Sequence, residues 1–284
     1  MTRAGRERQL AVSPAADASA GNGDDPRPEH VQRGQPPGVP PLALTGERTL
    51  PDVPAENYWF RRHLAVYEWV ADRCRGLEVV DMACGEGYGL AVLARRAARV
   101  TGVEANPEAE EHARLKYEGP GVRVVRDLVE RFSEPADAIV FLQTIEHVER
   151  PDELLGHFRS MLRQGGVAYV STPNVLTLAP PGAERSDNPW HLREYRPEEL
   201  RTLCEGAFER VELYGLFHAR KLRAHELALR AGWDSVHPRL GLTEPAYDRF
   251  TPAISARDFR LRPEAEAPLV RALDFLAVLR AGRR

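Results

Sequence analysis

Residues 77–89, LEVVDMACGEGYG, constrain the fold more than any other stretch of the chain. A short apolar run at 77–82 carries Asp81 near its end and breaks into Ala83, Cys84, Gly85, Glu86, Gly87, Tyr88 and Gly89. Such a run, bounded by glycines, reads as a buried strand. Small residues just after a strand let the backbone come close to a ligand and permit φ > 0. An alanine-rich helical stretch follows at 88–98. Strand, glycine turn and helix begin a βαβ unit, whose strands run parallel.

The alternation continues. Strands are expected at 99–103, 122–126, 138–142, 167–171 and 208–214, and helices at 59–75, 107–117, 151–163 and 197–206. Pro107 suits a first helical position. Gly165-Gly166 stops one helix and Pro173 one strand. Beyond Gly215 a helix is expected at 219–231 and a final antiparallel strand at 254–261. Leu269, Leu273, Leu276 and Leu279 mark one face of a C-terminal helix. The expected fold is therefore α/β, a doubly wound, seven-stranded, mostly parallel sheet with helices on both faces. Residues 216–253 and 262–284 read as helical additions to a domain spanning 51–284.

Residues 1–50 are rich in Pro, Gly, Ala and charge and nearly free of aromatics. They read as a disordered tail, unable to bury enough apolar surface to offset ordering entropy. No apolar stretch of signal-peptide or membrane-spanning length occurs. The net charge of -3 gives no global attraction to nucleic acid or an anionic membrane. Cys74, Cys84 and Cys204 fit neither a disulfide framework nor metal-ligand spacing. A cytoplasmic protein, monomer or homodimer, is expected; candidate acids are present, but no clear metal-ligand set.

The turn after the first strand reads G-x-G-x-G and carries acids at Asp81 and Glu86. A dinucleotide fingerprint would be G-x-G-x-x-G with a pyrophosphate at the helix start. Acids there would repel a pyrophosphate but attract a cationic amino group, which S-adenosylmethionine carries. Glu104 closes the second strand, where a carboxylate can accept from both ribose hydroxyls. Asp127 follows the third strand and is either an adenine contact or a turn residue. Cys84 reads as a small buried residue.

VVDMACGEGYG resembles the first motif of class I S-adenosylmethionine-dependent methyltransferases, and VTGVEANPEA their second. ADAIVFLQTIEHVERP and LRQGGVAYVSTPN resemble their fourth- and fifth-strand motifs. Ala83 stands where that family most often has glycine. The resemblance implies backbone contacts from Ala83 and Gly85 within a turn completed by Glu86 and Gly87. It implies ribose contact from Glu104 beside Ala105, adenine contact from Asp127 with Leu128, and methionine-side contact near Gln143.

Methyl transfer to an alcohol needs a base in hydrogen-bond reach. His147, just after the fourth strand, is the candidate base, with Glu146 as orienter; otherwise it lines the pocket. His191, in NPWHLREY, is the rival, on a loop that Trp190 and Tyr195 could equally anchor in the core. ENYWFRRH is a candidate lid, with Arg62 toward the cofactor carboxylate and Tyr58 walling the acceptor site; alternatively Trp59 and Phe60 pack it down. ENYWFRRHLAVYEW and NPWHLREYRPEEL together resemble actinobacterial methyltransferases of glycan assembly. That resemblance implies a sugar or polysaccharide hydroxyl as acceptor. The alternatives are a quinone or other small aromatic, a nicotinamide oxidoreductase, and a silent partner of a glycan-synthesising complex.

Overall fold

A computed structural model describes residues 30–45, 48–180, 182–241 and 243–282. Eight strands form one sheet in the order β3-β2-β1-β4-β5-β8-β6-β7. β1 (Glu78–Met82), β2 (Arg99–Glu104), β3 (Val122–Arg126), β4 (Ala136–Leu142) and β5 (Leu162–Pro173) are parallel. β8 (Asp274–Arg280) lies antiparallel between β5 and β6 (Arg210–His218). β7 (Phe259–Pro263) closes the edge, antiparallel to β6. β6 therefore points the same way as β5, and both end on the rim that carries the ends of β1, β2 and β4.

The helices are α1 (Asn57–Ala71), α2 (Tyr88–Leu93), α3 (Pro107–Tyr117), α4 (Pro151–Met161), α5 (Val175–Leu178), α6 (Pro197–Glu205), α7 (Arg220–Arg230), α8 (Trp233–Val236) and α9 (Thr243–Phe250). Asn106 caps α3 by accepting from the N–H groups of Glu108 and Ala109, and Pro107 opens the helix. One core cluster joins α1 and α2 to Val79, Val140, Tyr169 and Leu276. The other joins α4 and α6 to Val80, Ile139, Val170 and Leu279. Neighbouring residues of a strand thus divide between two covered faces, as a buried sheet requires.

Two sequence expectations are corrected. The sheet has eight strands, because residues 274–280 form a strand and not a helix. Leu276 faces one core and Phe275, Ala277 and Leu279 the other. A strand apolar at five successive positions, Phe275–Leu279, satisfies helical spacing by coincidence. The edge strand expected at 254–261 forms later, at Phe259–Pro263. Within 216–253, β6 runs to His218 and the helices α7, α8 and α9 follow.

The expected tail divides. Residues 1–29 lie outside the described residues. Leu42, Leu44, Leu50 and Val53 bury themselves with Ala109 of α3. Val31 and Ala43 form an antiparallel bridge, and His112 Nδ1 donates to Pro40 O at 2.8 Å. A few leucines on an existing helix suffice to order this strap. Among the described residues no helix is long and apolar enough to cross a membrane.

Candidate functional site

Strand order reverses at β1, which lies between β2 and β4. Open α/β sheets bind ligands at such a point, beyond the carboxyl ends of the strands. The turn leaving β1 bends through left-handed backbone at Ala83 (φ 57°), Gly85 (φ 58°) and Gly87 (φ 95°). A Cβ built on Gly85 would meet no atom within 4 Å, so that side of the turn is open. Ala83 bears the left-handed conformation despite its methyl, at a cost of roughly 1–2 kcal/mol.

Glu104 at the end of β2 locks the turn in place. Its Oε2 accepts from Gly85 N and its Oε1 from Asn106 N, both at 2.9 Å. A carboxylate has about four acceptor sites, so each oxygen keeps one for a ribose hydroxyl. Asp127 N donates to Glu104 O at 3.2 Å, which puts the third acid beside the second. Asp127 Oδ1 accepts from Leu128 N at 2.9 Å, and the Leu128 side chain stands exposed, as does Ala105.

Asp81 is buried at the foot of the turn, with Tyr67 Oη 3.3 Å from each carboxylate oxygen. Burial pushes its carboxyl up to about 8, against the lowering effect of the Tyr67 hydrogen bond. Tyr67 can reach it because residue 89 is glycine: a Cβ there would sit 2.3 Å from Tyr67 Cε1. Gln143 follows β4 with φ 54°; its amide nitrogen Nε2 donates to Ser171 Oγ at 3.0 Å. Asp81, Glu104 and Asp127 therefore meet at one rim, around an open turn that offers acceptors, with Arg131 Nε 3.7 Å from Asp127 Oδ1. These residues fit an adenosyl group with a cationic tail.

Three expected placements change, and Tyr195 takes the core-anchored reading of its loop. Glu86 is buried; it accepts from Tyr88 N at the start of α2 and turns toward α3, where it meets His112, Lys116 and Tyr117. It joins the turn to the strap rather than to a ligand. Arg62 is buried against Asp274, with Nε–Oδ2 at 2.7 Å and Nη2–Oδ1 at 2.5 Å. It pins α1 to β8 and does not serve a cofactor carboxylate. Tyr58 is buried among Trp59, Phe259 and His218, its hydroxyl 2.8 Å from His218 Nε2. Tyr195 is buried too, so it anchors the 188–194 loop without lining a cleft, while Trp190 stands outside. Nothing in the sequence marked Asp274 as the partner of Arg62, which lies 212 residues away.

On the acceptor side, the loop after β5 is sewn to Glu146: Leu192 N and Arg193 N donate to its carbonyl at 2.9 and 3.1 Å. His147 and His191 come together, ring centroids 5.1 Å apart. His147 Nδ1 lies 2.7 Å from Trp190 O, a pure acceptor, so Nδ1 carries a hydrogen, and in the neutral ring the lone pair is on Nε2. His191 is held on both nitrogens, by Glu194 Oε1 at 2.6 Å and Asn188 Nδ2 at 2.9 Å. Burial would raise Glu194, but hydrogen bonds from His191 and Ser186 hold it below the usual carboxylate range. Glu146 is buried, its Oε2 without a hydrogen bond, and burial pushes it up to about 8. Glu146, His147 and His191 each offer a ligand atom, all within 4.8 Å of one another. Two imidazoles and a carboxylate at that spacing can hold a first-row divalent ion better than Mg²⁺.

A family model described as a methyltransferase domain matches residues 55–228. A probable S-adenosylmethionine-dependent methyltransferase of Mycolicibacterium smegmatis is 36% identical over 247 residues, covering 84% of this chain and 94% of that protein. The chain belongs to the S-adenosylmethionine-dependent methyltransferases. The cofactor of this methyltransferase is S-adenosylmethionine. The ubiquinone biosynthesis O-methyltransferase of Xylella fastidiosa is 34% identical over 119 residues, 38% of this chain and 48% of that protein. The crystal structure of a SAM-dependent methyltransferase, possible histamine N-methyltransferase, from Thermotoga maritima shares the fold. Its TM-score is 0.52 at 17% identity, over 79% of this chain and 93% of that one.

Proposed function

We propose that this methyltransferase methylates a hydroxyl of a sugar or polysaccharide, with His147 as general base. The observation that carries the reading is the oriented His147–His191 pair beside the exposed Trp190. S-adenosylmethionine supplies an electrophilic methyl on a sulfonium. An alcohol is nearly neutral at pH 7, so His147 Nε2 takes its proton as the new carbon–oxygen bond forms. Trp190 O fixes the His147 tautomer, and Glu194 fixes His191 behind it. Trp190 and Leu192 are 47% and 53% exposed and offer apolar faces beside polar groups, a surface suited to a sugar ring. Glu104, Asp127 and Asp81 hold the nucleoside and its amino acid end.

Two observations favour variants of this reading. The Xylella fastidiosa relative is named for ubiquinone biosynthesis, which supports an aromatic hydroxyl as acceptor. The Glu146–His147–His191 cluster supports deprotonation by a bound divalent ion in place of the free base. Transfer of a labelled methyl group into a panel of oligosaccharides and catechols tests the acceptor. Label in sugars and not in catechols upholds the proposal; the reverse pattern replaces it. The same assay after chelation tests the base: loss of turnover restored by Co²⁺ or Mn²⁺ would make His147 a ligand.

A further inference from the structure

Away from the cofactor turn, the carboxyl end of β6 opens on a cavity of about 770 Å³ between β7, α7 and the 263–271 loop. Among the described residues, seven arginines line it against one carboxylate, Glu226, in a chain whose net charge is -3. Arg230 is paired with Glu226 at 2.7 Å, and Arg262 reaches Glu266 only at 4.0 Å. Arg220, Arg223, Arg257 and Arg260 have no carboxylate within ion-pair distance among the described residues. Their charges converge on a concave space walled partly by Phe217, Phe259 and Ala267. Low-dielectric walls focus such a field and raise the local concentration of anions. Arg220 also holds left-handed backbone, φ 44°, at the first position of α7. A glycine would relieve that strain, so the guanidinium is kept at the cost of a conformation that non-glycine residues avoid.

We propose that this cavity binds a phosphate ester, the phosphate borne by the glycan acceptor itself. Guanidinium forks match phosphate oxygens in bidentate pairs, and clusters of them select doubly charged groups over neutral sugars. The cavity shares a rim with the catalytic loop because β6 is parallel to β5. Three strand spacings separate β4 from β6, roughly 15 Å. A short saccharide spans that gap, with one hydroxyl at His147 and its phosphate among the arginines. The proposal rests on the glycan reading for the acceptor, while the anion site itself does not.

The test uses the full chain and two variants. Arg223→Gln/Arg260→Gln removes two exposed charges, and Arg220→Gly removes a third while easing the backbone. Calorimetric titration with inorganic pyrophosphate should show binding that weakens at least tenfold in each, with S-adenosylhomocysteine affinity unchanged. Equal pyrophosphate affinity in variants and parent overturns the site. Binding confined to vesicles of anionic phospholipid, without pyrophosphate binding, overturns it in favour of a membrane surface. Methyl transfer then identifies the source of the phosphate. A phosphorylated disaccharide should have a KM at least tenfold below its dephosphorylated form at similar kcat, and the variants should erase the difference. Equal KM values together with pyrophosphate binding would reassign the cavity to a free phosphate effector and overturn the acceptor role. Pyrophosphate binding without transfer to any sugar would sink the glycan reading and leave the anion site standing.

Discussion

Glu104 works through both of its oxygens, and its loss should be felt in two ways. The Glu104→Ala change removes two backbone acceptors and the ribose contact together. Hydrogen bonds to charged groups contribute about 1.5–3 kcal/mol each. Calorimetry should therefore show S-adenosylhomocysteine affinity at least tenfold weaker, and an unchanged affinity would contradict the ribose role. His147→Ala should behave oppositely. Turnover should fall on the order of 10²–10⁴-fold, the usual share of a general base, while cofactor affinity stays nearly constant. Turnover surviving in that variant would leave the base role without a residue.

At the scale of the element, β1 to β5 and the turn after β1 were legible because each carries a local signal: an apolar run, a glycine, a proline or a cap. The places of Glu104 and Asp127 on the rim were legible for the same reason, since one ends a strand and the other follows one. What failed was non-local. The β8 strand is buried on both faces, so its leucines lose the period of two that would have marked it. Arg62 looked like a ligand group because its partner Asp274 sits on that unread strand. Their pair makes a prediction. Arg62→Ala should destabilise the protein by about 3–5 kcal/mol, since it strands a buried carboxylate. Urea unfolding should show the loss, and Arg62→Leu/Asp274→Leu should recover much of it; a loss under about 1 kcal/mol would reduce the pair to a surface-like contact. The strap is a second case. Leu50 is fully buried with Val53 and Ala109, so Leu50→Ala should cost about 2–5 kcal/mol. A disordered tail would register nothing in the same urea titration.

The whole molecule buries carboxyls that hold protons at neutral pH. Burial pushes Glu56, Asp81 and Glu146 each to about 8 from ordinary values of 4.5, 3.8 and 4.5. In the unfolded chain these groups release their protons near their ordinary values. Between about 4 and 8 these three groups bind more protons in the folded state than in the unfolded one, so their contribution falls as pH rises, while His63 and His225, each lowered to about 4 by burial, offset part of that fall below about 6.5. Glu209 acts in the other direction. The Gly282 N–H and Arg159 hold it at about 2, so its contribution is present above its ordinary pKa and is lost only in stronger acid. The cofactor-free protein should then be most stable near pH 5. Its Tm by scanning calorimetry should decline from there to pH 8. Asp81→Asn and Glu146→Gln should each flatten that decline, and a parent profile that rises from pH 5 to 8 would refute the account. Bound cofactor supplies the discriminating control. If the cationic amino group of S-adenosylhomocysteine lies against Asp81, it holds that carboxylate ionised and removes its share of the slope. Cofactor affinity should consequently strengthen as pH rises toward 8 in the parent and stay level in Asp81→Asn, which links the stability of the empty fold to the charge it is built to receive.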